Sequence, residues 1–150
     1  MRFDLRLVSV FVFALVMTAG CGGPFLLLPG GELSGAVTST PTDWAFTDEV
    51  STIQIETNPA DPYSINIWAV GVGSSMYLHA GGNRTTWVEH LERDPHLRIR
   101  VEENLYELAA VRVESEEEFA TFADAYEVKY GIRPRNENID EIYVLRLGAR

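Results

Sequence analysis

LHAGGNRTTWVEHLERDP, residues 78–95, is the stretch on which the reading of this chain turns. An apolar run stops at Gly81 and Gly82, an Asn-Arg pair follows, and a helical pattern begins a few residues later. Glycine leaves backbone N–H groups unobstructed, Asn83 offers an amide, and Arg84 offers a planar, permanently charged fork suited to phosphate. The free N–H groups of the helix start add partial positive charge. An ordinary strand-to-helix turn has the same order, so local chemistry leaves a phosphate cradle and a plain turn both open.

Downstream, Thr86 and Glu89 fit a capping box, predicting a helix from Trp87 to about Arg93 that Pro95 stops. Residues 96–101 and 105–113 flank Glu-Glu-Asn and predict a hairpin. Ser115 with Glu118 is a second capping box, opening a helix that Gly131 ends. Phe119, Phe122, Ala123, Tyr126 and Tyr130 share one face of it. Residues 141–149 read as a last strand.

Upstream, residues 52–57 alternate apolar and polar side chains, as a half-buried strand does. Residues 63–72 alternate again, with Ile65, Ile67 and Ala69 on one face and Ser64, Asn66 and Trp68 on the other. Gly-Ser-Ser turns this strand into residues 76–80, predicting a hairpin. The order is strand, hairpin, short helix, hairpin, longer helix, strand. It predicts an α+β fold, a small antiparallel barrel with a short inserted helix and one longer C-terminal helix.

The chain has 150 residues, enough for one domain, and its 46 % apolar and 23 % charged composition excludes general disorder. Its first 20 residues stand apart. Arg2 and Arg6 precede an unbroken apolar and small-residue run over residues 7–20. That run would rise only about 21 Å as a helix, short of the roughly 30 Å of bilayer hydrocarbon. A basic start, a short apolar centre and a small-residue end predict a secretory signal peptide over residues 1–20. Residues 21–42, rich in Gly, Pro, Ser and Thr, read as a flexible tether whose apolar centre lies on the domain. Residues 43–150 are expected to form the folded domain.

Losing residues 1–20 removes Arg2, Arg6 and Asp4, taking the net charge from −10 to −11. So acidic a surface excludes nucleic acid, whose binding rests on positive charge. His79, His90 and His96 have no metal-ligand spacing and no Cys-x-x-Cys accompanies them, so no metal is expected. No Gly-x-Ser-x-Gly elbow supports a serine nucleophile.

Two resemblances sharpen these expectations. MTAGCGG, residues 17–23, resembles a bacterial lipobox, with Thr18 where leucine is usual. The resemblance implies cleavage before Cys21, lipidation of Cys21, and anchoring to a membrane of the bacterial cell envelope, periplasmic or at the outer surface. A lone cysteine with no intrachain partner fits that role.

Residues 66–113 resemble the centre of the FMN-binding split-barrel superfamily, which includes pyridoxamine 5'-phosphate oxidase-like proteins and deazaflavin-dependent nitroreductases. In those families a strand hairpin leads to a small-residue phosphate loop, then a W-x-x-N-L-x-x-x-P helix, then another hairpin. Trp87, Leu91 and Pro95 match, and His90 stands in the asparagine's place.

The resemblance implies that His79, Ala80, Gly81, Gly82, Asn83 and Arg84 touch the phosphate of FMN or an F420-like deazaflavin. It places Trp87 beside that loop and Ser64, Asn66 and Trp68 near the cofactor ring. It also implies a homodimer. The basic residues usual on the strands before the loop are absent, and the one lysine, Lys129, lies far along the chain. The function implied is a flavin- or deazaflavin-dependent oxidoreductase, with no catalytic side chain assigned. The alternative is a non-catalytic envelope lipoprotein whose barrel binds a partner or a small anionic ligand.

Overall fold

The computed structural model describes residues 23–81 and 85–150. The predicted signal segment, Cys21 and the loop residues Gly82, Asn83 and Arg84 lie outside the described residues. The elements are β1 (Ala36–Val37), a single 3-10 turn (Ala45–Thr47), β2 (Ile53–Thr57), β3 (Tyr63–Ile67), β4 (Ala69–Val72) and β5 (Ser75–Ala80). After them come α1 (Thr86–Arg93), β6 (His96–Val101), β7 (Asn104–Arg112), α2 (Glu116–Tyr130) and β8 (Tyr143–Ala149).

The strands form one sheet in the order β3-β2-β6-β7-β8-β5-β4, every neighbour antiparallel, with β1 added parallel to β7. The two ends of that order, β3 and β4, are consecutive in the chain and separated by Trp68 alone. The sheet therefore curls round until its edges are joined by covalent chain rather than by a hydrogen-bonded ladder. This is a split α+β barrel with two α-helices among the described residues.

Here the structure corrects the sequence reading. Residues 63–72 are not one strand of a hairpin: β3 pairs with β2, Ile65 opposite Ile55, and only β4 pairs with β5, Val70 opposite Tyr77. A curled sheet must turn a corner, and the chain does so at Trp68. Breaking the ladder there orphans the backbone polar groups of Ala69. The end of α2 satisfies them. The Ala69 N–H donates to the Tyr130 hydroxyl at 3.0 Å, and the Ala69 carbonyl accepts from Lys129 Nζ at 2.8 Å.

Inside the barrel, Ile53, Ile55, Ala69, Met76, Leu78, Leu97, Ile99, Leu108 and Leu147 pack with Trp87, Val88 and Leu91 of α1. Trp44 is fully buried in the same core. It crosses β4 at Gly71 so closely that a Cβ there would stand 2.6 Å from the Trp44 Cβ, so only glycine fits. A second core lies on the opposite face of β4, β5 and β8, where Val70, Tyr77 and Val144 meet Phe119, Phe122, Ala123 and Tyr126 of α2. With both faces covered, successive residues such as Ala69 and Val70 are both buried.

Helix ends follow local chemistry, with one correction. Ser115 Oγ accepts the Glu118 N–H at 3.4 Å and Gly131 adopts φ 72°, so α2 is capped as its sequence predicts. The capping box at Thr86 is not formed. Thr85 is the cap residue and makes no side-chain cap bond, while its carbonyl accepts the Glu89 N–H at 3.1 Å. Two adjacent threonines let the helix start one residue earlier than the pattern suggested.

Much of the segment read as a tether runs along the sheet. Gly30 bridges Ser64, Leu33 is buried, and Ala36–Val37 form β1. The buried Glu56 carboxylate holds it: Glu56 accepts the Leu33 N–H and a two-pronged pair of donors from Arg98, each at 2.8 Å. The apolar centre is not the part that packs. Phe25, Leu26, Leu27 and Leu28 form a tight turn, with side chains 66–97 % exposed.

Candidate functional site

A cavity of about 670 Å³ opens where β3 breaks from β4, lined by Leu26, Leu27, Thr52, Asn66, Ile67, Trp68, His79, Gly81 and Tyr126. A second, of about 230 Å³, shares Trp68, His79, Gly81 and Tyr126 and extends to residues 132–136. Each wall has a local cause. Trp68 occupies the corner residue and lies flat on Tyr130, with ring centres 4.5 Å apart and planes at 8°. Tyr126 is one turn earlier on the same helical face, its ring 4.9 Å from that of Tyr130. His79 of β5 meets Tyr126 edge-on at 5.0 Å. The result is an aromatic wall built from a strand corner, a helix end and a neighbouring strand.

Burial fixes the charge state of this wall. Desolvation lowers the His79 pKa below its ordinary value, so the imidazole is neutral near pH 7 and offers one donor and one acceptor. Burial also raises the Tyr126 hydroxyl and pushes Tyr130 up to about 12, so both remain protonated. No carboxylate, thiol or lysine is among the residues lining the larger cavity. Such a site has the chemistry to accept a flat, largely apolar body with a few neutral hydrogen bonds at its edge.

The structure brings together four of the predicted site residues, Asn66, Trp68, His79 and Gly81. Three others stand elsewhere. Ser64 is buried beneath the N-terminal segment and donates to the Gly31 carbonyl at 2.7 Å. Ala80 and Trp87 belong to the barrel core. Asn66 reaches the cavity with its amide engaged, donating to the Leu26 carbonyl at 2.9 Å and so holding the Leu26-Leu27 turn at the rim. Gly82, Asn83 and Arg84 lie outside the described residues, though Gly81, which leads into them, lines both cavities.

Sequence reasoning missed Tyr126, Thr52, Leu26 and Leu27 as walls. The one usable signal was the pair of tyrosines four residues apart at the end of an amphipathic helix, where a ring can be buried with its hydroxyl wet.

The larger cavity fits the group that the resemblance implies. Its volume lies within the roughly 300–1,000 Å³ usual for cofactor sites. Trp68, 43 % exposed, presents a ring to it, and no atom of the described residues lies within 4 Å of where a Cβ of Gly81 would stand.

No protein-family model matches the chain, and no curated protein matches it. Solved structures do. A candidate 5-nitroimidazole antibiotic resistance protein of Bacteroides thetaiotaomicron superposes with a TM-score of 0.55 at 13 % identity, over 67 % of this chain and 73 % of that one. A candidate pyridoxamine 5'-phosphate oxidase of Listeria innocua gives 0.54 at 12 % identity, over 69 % and 86 %. The heme storage protein of Vibrio cholerae gives 0.54 at 18 %, over 70 % and 85 %. The chain is thus similar in fold to all three, and that fold is the α+β split barrel.

Proposed function

We propose that the chain is an exported lipoprotein, anchored through Cys21, whose split barrel binds a flavin-type cofactor and acts as an oxidoreductase. The observation that carries the reading is the aromatic cavity at the barrel's split, with Trp68, Tyr126 and His79 as walls. The fold likeness to a candidate pyridoxamine 5'-phosphate oxidase supports it. FMN and an F420-like deazaflavin share the flat ring system that such a cavity accepts, and a homodimer belongs to the same reading.

When bound, the cofactor supplies hydride and electron transfer. The chain's own residues bind and orient. The Trp68 ring offers a stacking face, and the neutral His79 imidazole and protonated Tyr126 hydroxyl offer hydrogen bonds at the ring edge. The Leu26-Leu27 turn, held by Asn66, forms part of the rim.

A fluorescence titration of the purified chain with FMN tests the proposal. The expected Kd is below about 10 μM, weakened about tenfold or more by Trp68→Ala. No flavin binding to the wild type contradicts it. A second reading draws on the lining of the cavity, which holds no carboxylate, thiol or lysine: a binding lipoprotein without catalysis. Flavin binding without reduction of the bound flavin by any nicotinamide donor favours that reading.

A further inference from the structure

Arg135 is the one lysine or arginine of the described residues without a hydrogen bond, ion pair or ring contact. Arg98 grips Glu56, Arg133 grips Asp124, Glu127 and Glu137, Arg146 grips Glu118, and Arg150 pairs with Glu107. Arg93, Arg100, Arg112 and Lys129 each donate to backbone carbonyls. Arg93, Arg100 and Arg112 also lack a carboxylate, but each is engaged by backbone oxygen; Arg135 alone among the described lysines and arginines has its N–H donors free. Its position gives it a purpose. Arg135 lines the smaller cavity together with Gly81, His79, Trp68 and Tyr126, four of the nine residues that wall the larger one.

The loop that carries Arg135 is fixed on both sides. Two residues before, Arg133 bonds Glu127 at 3.0 Å and Glu137 at 2.9 Å, and Pro134 between them is buried. One residue after, the Asn136 amide donates to Glu141 at 2.9 Å and its oxygen accepts the Asn138 N–H at 2.9 Å. The three carboxylates nearest in this network are held by Arg133, and none lines the cavity. The backbone that carries Arg135 is therefore held in place, while its exposed side chain is free to reach a ligand at the cost of its own rotamer freedom.

We propose that Arg135 is the anion-binding residue of this site, taking the phosphate or carboxylate arm of an aromatic ligand whose ring lies along Trp68. The inference rests on the reading of the larger cavity as the ligand site and deepens it. It supplies the cation that the strands before the loop lack. A planar guanidinium binds either oxyanion through paired N–H donors, and His79 adds a neutral donor beside it.

The test compares FMN with riboflavin, which has the same ring and no phosphate, on the full chain and on Arg135→Ala and Arg135→Lys. The wild type should bind FMN at least about tenfold more tightly than riboflavin. In Arg135→Ala that preference should fall to within about threefold while riboflavin affinity stays unchanged, and lysine should restore part of it. An undiminished preference in Arg135→Ala overturns the assignment. If neither flavin binds, the flavin reading falls by itself, and inorganic phosphate decides the anion site. A shift of the Arg135 Nε–H resonance that saturates with added phosphate supports the site, and an unmoved resonance overturns it. Pyridoxal 5'-phosphate against pyridoxal, and benzoate against benzyl alcohol, then separate phosphate from carboxylate.

Discussion

Trp68 and His79 show what a single position can reveal and conceal. The sequence placed Trp68 on a strand face with Ser64 and Asn66, and two of those three reach the cavity. Ser64 does not, because the Gly30-Gly31 backbone covers it, and no local pattern could announce a contact 33 residues away. The family resemblance implies that His79 touches the cofactor phosphate. Burial among Tyr126 and Phe122 keeps it neutral, so any such contact is a hydrogen bond and not a charge pair.

The depressed His79 pKa has a consequence for stability. Above about pH 6.5 the ring is neutral in both folded and unfolded chains; below it the unfolded chain takes up a proton that the folded one resists. The contribution of His79 is thus fully present above its unfolded pKa and is lost progressively as pH falls from that value through the lower folded one. Urea unfolding of the wild type should therefore weaken between pH 7.5 and 5.5 by more than that of His79→Phe. Parallel pH profiles for the two proteins would contradict the assignment.

At the scale of elements, what was legible was local. The α2 caps at Ser115 and Gly131, the β6–β7 hairpin and the stop at Pro95 all follow from chemistry within a few residues. The corner between β3 and β4 was not legible. Ile65, Ile67 and Ala69 keep one alternation through Trp68, so nothing in the pattern marks the residue where pairing changes from β2 to β5. The corner is held from outside by α2. The Tyr130 hydroxyl accepts the Ala69 N–H and lies within donating reach of the Ala69 and Ser51 carbonyls, at 2.9 and 3.1 Å. Tyr130→Phe keeps the ring stacked on Trp68 and leaves these groups without that partner. It should cost about 1–3 kcal/mol in urea unfolding. A loss indistinguishable from zero would mean that the corner stands on packing and Lys129 alone.

For the whole molecule, the alternation of strands and helices sufficed for an α+β barrel, because antiparallel hairpins with two short-range helices have few ways to close. The course of the N-terminal segment was hidden, since its attachment depends on Arg98 and Glu56, 42 residues apart. That attachment matters for anchoring. Gly23, two residues after Cys21, lies beside Leu33 and Gln54, so a lipid on Cys21 would hold the barrel close to the membrane surface. Membrane fractionation should find the wild type with the envelope membranes and Cys21→Ser released into the soluble fraction. Retention of the variant on membranes would contradict lipid anchoring.

The central claim is that the cavity at the split seats a flavin ring, and intermolecular NOEs from bound FMN measure this most directly. The account predicts cross-peaks from the isoalloxazine protons to the ring protons of Trp68 and Tyr126, both of which wall the cavity. Cross-peaks confined to other parts of the barrel, or none at saturating FMN, would contradict it.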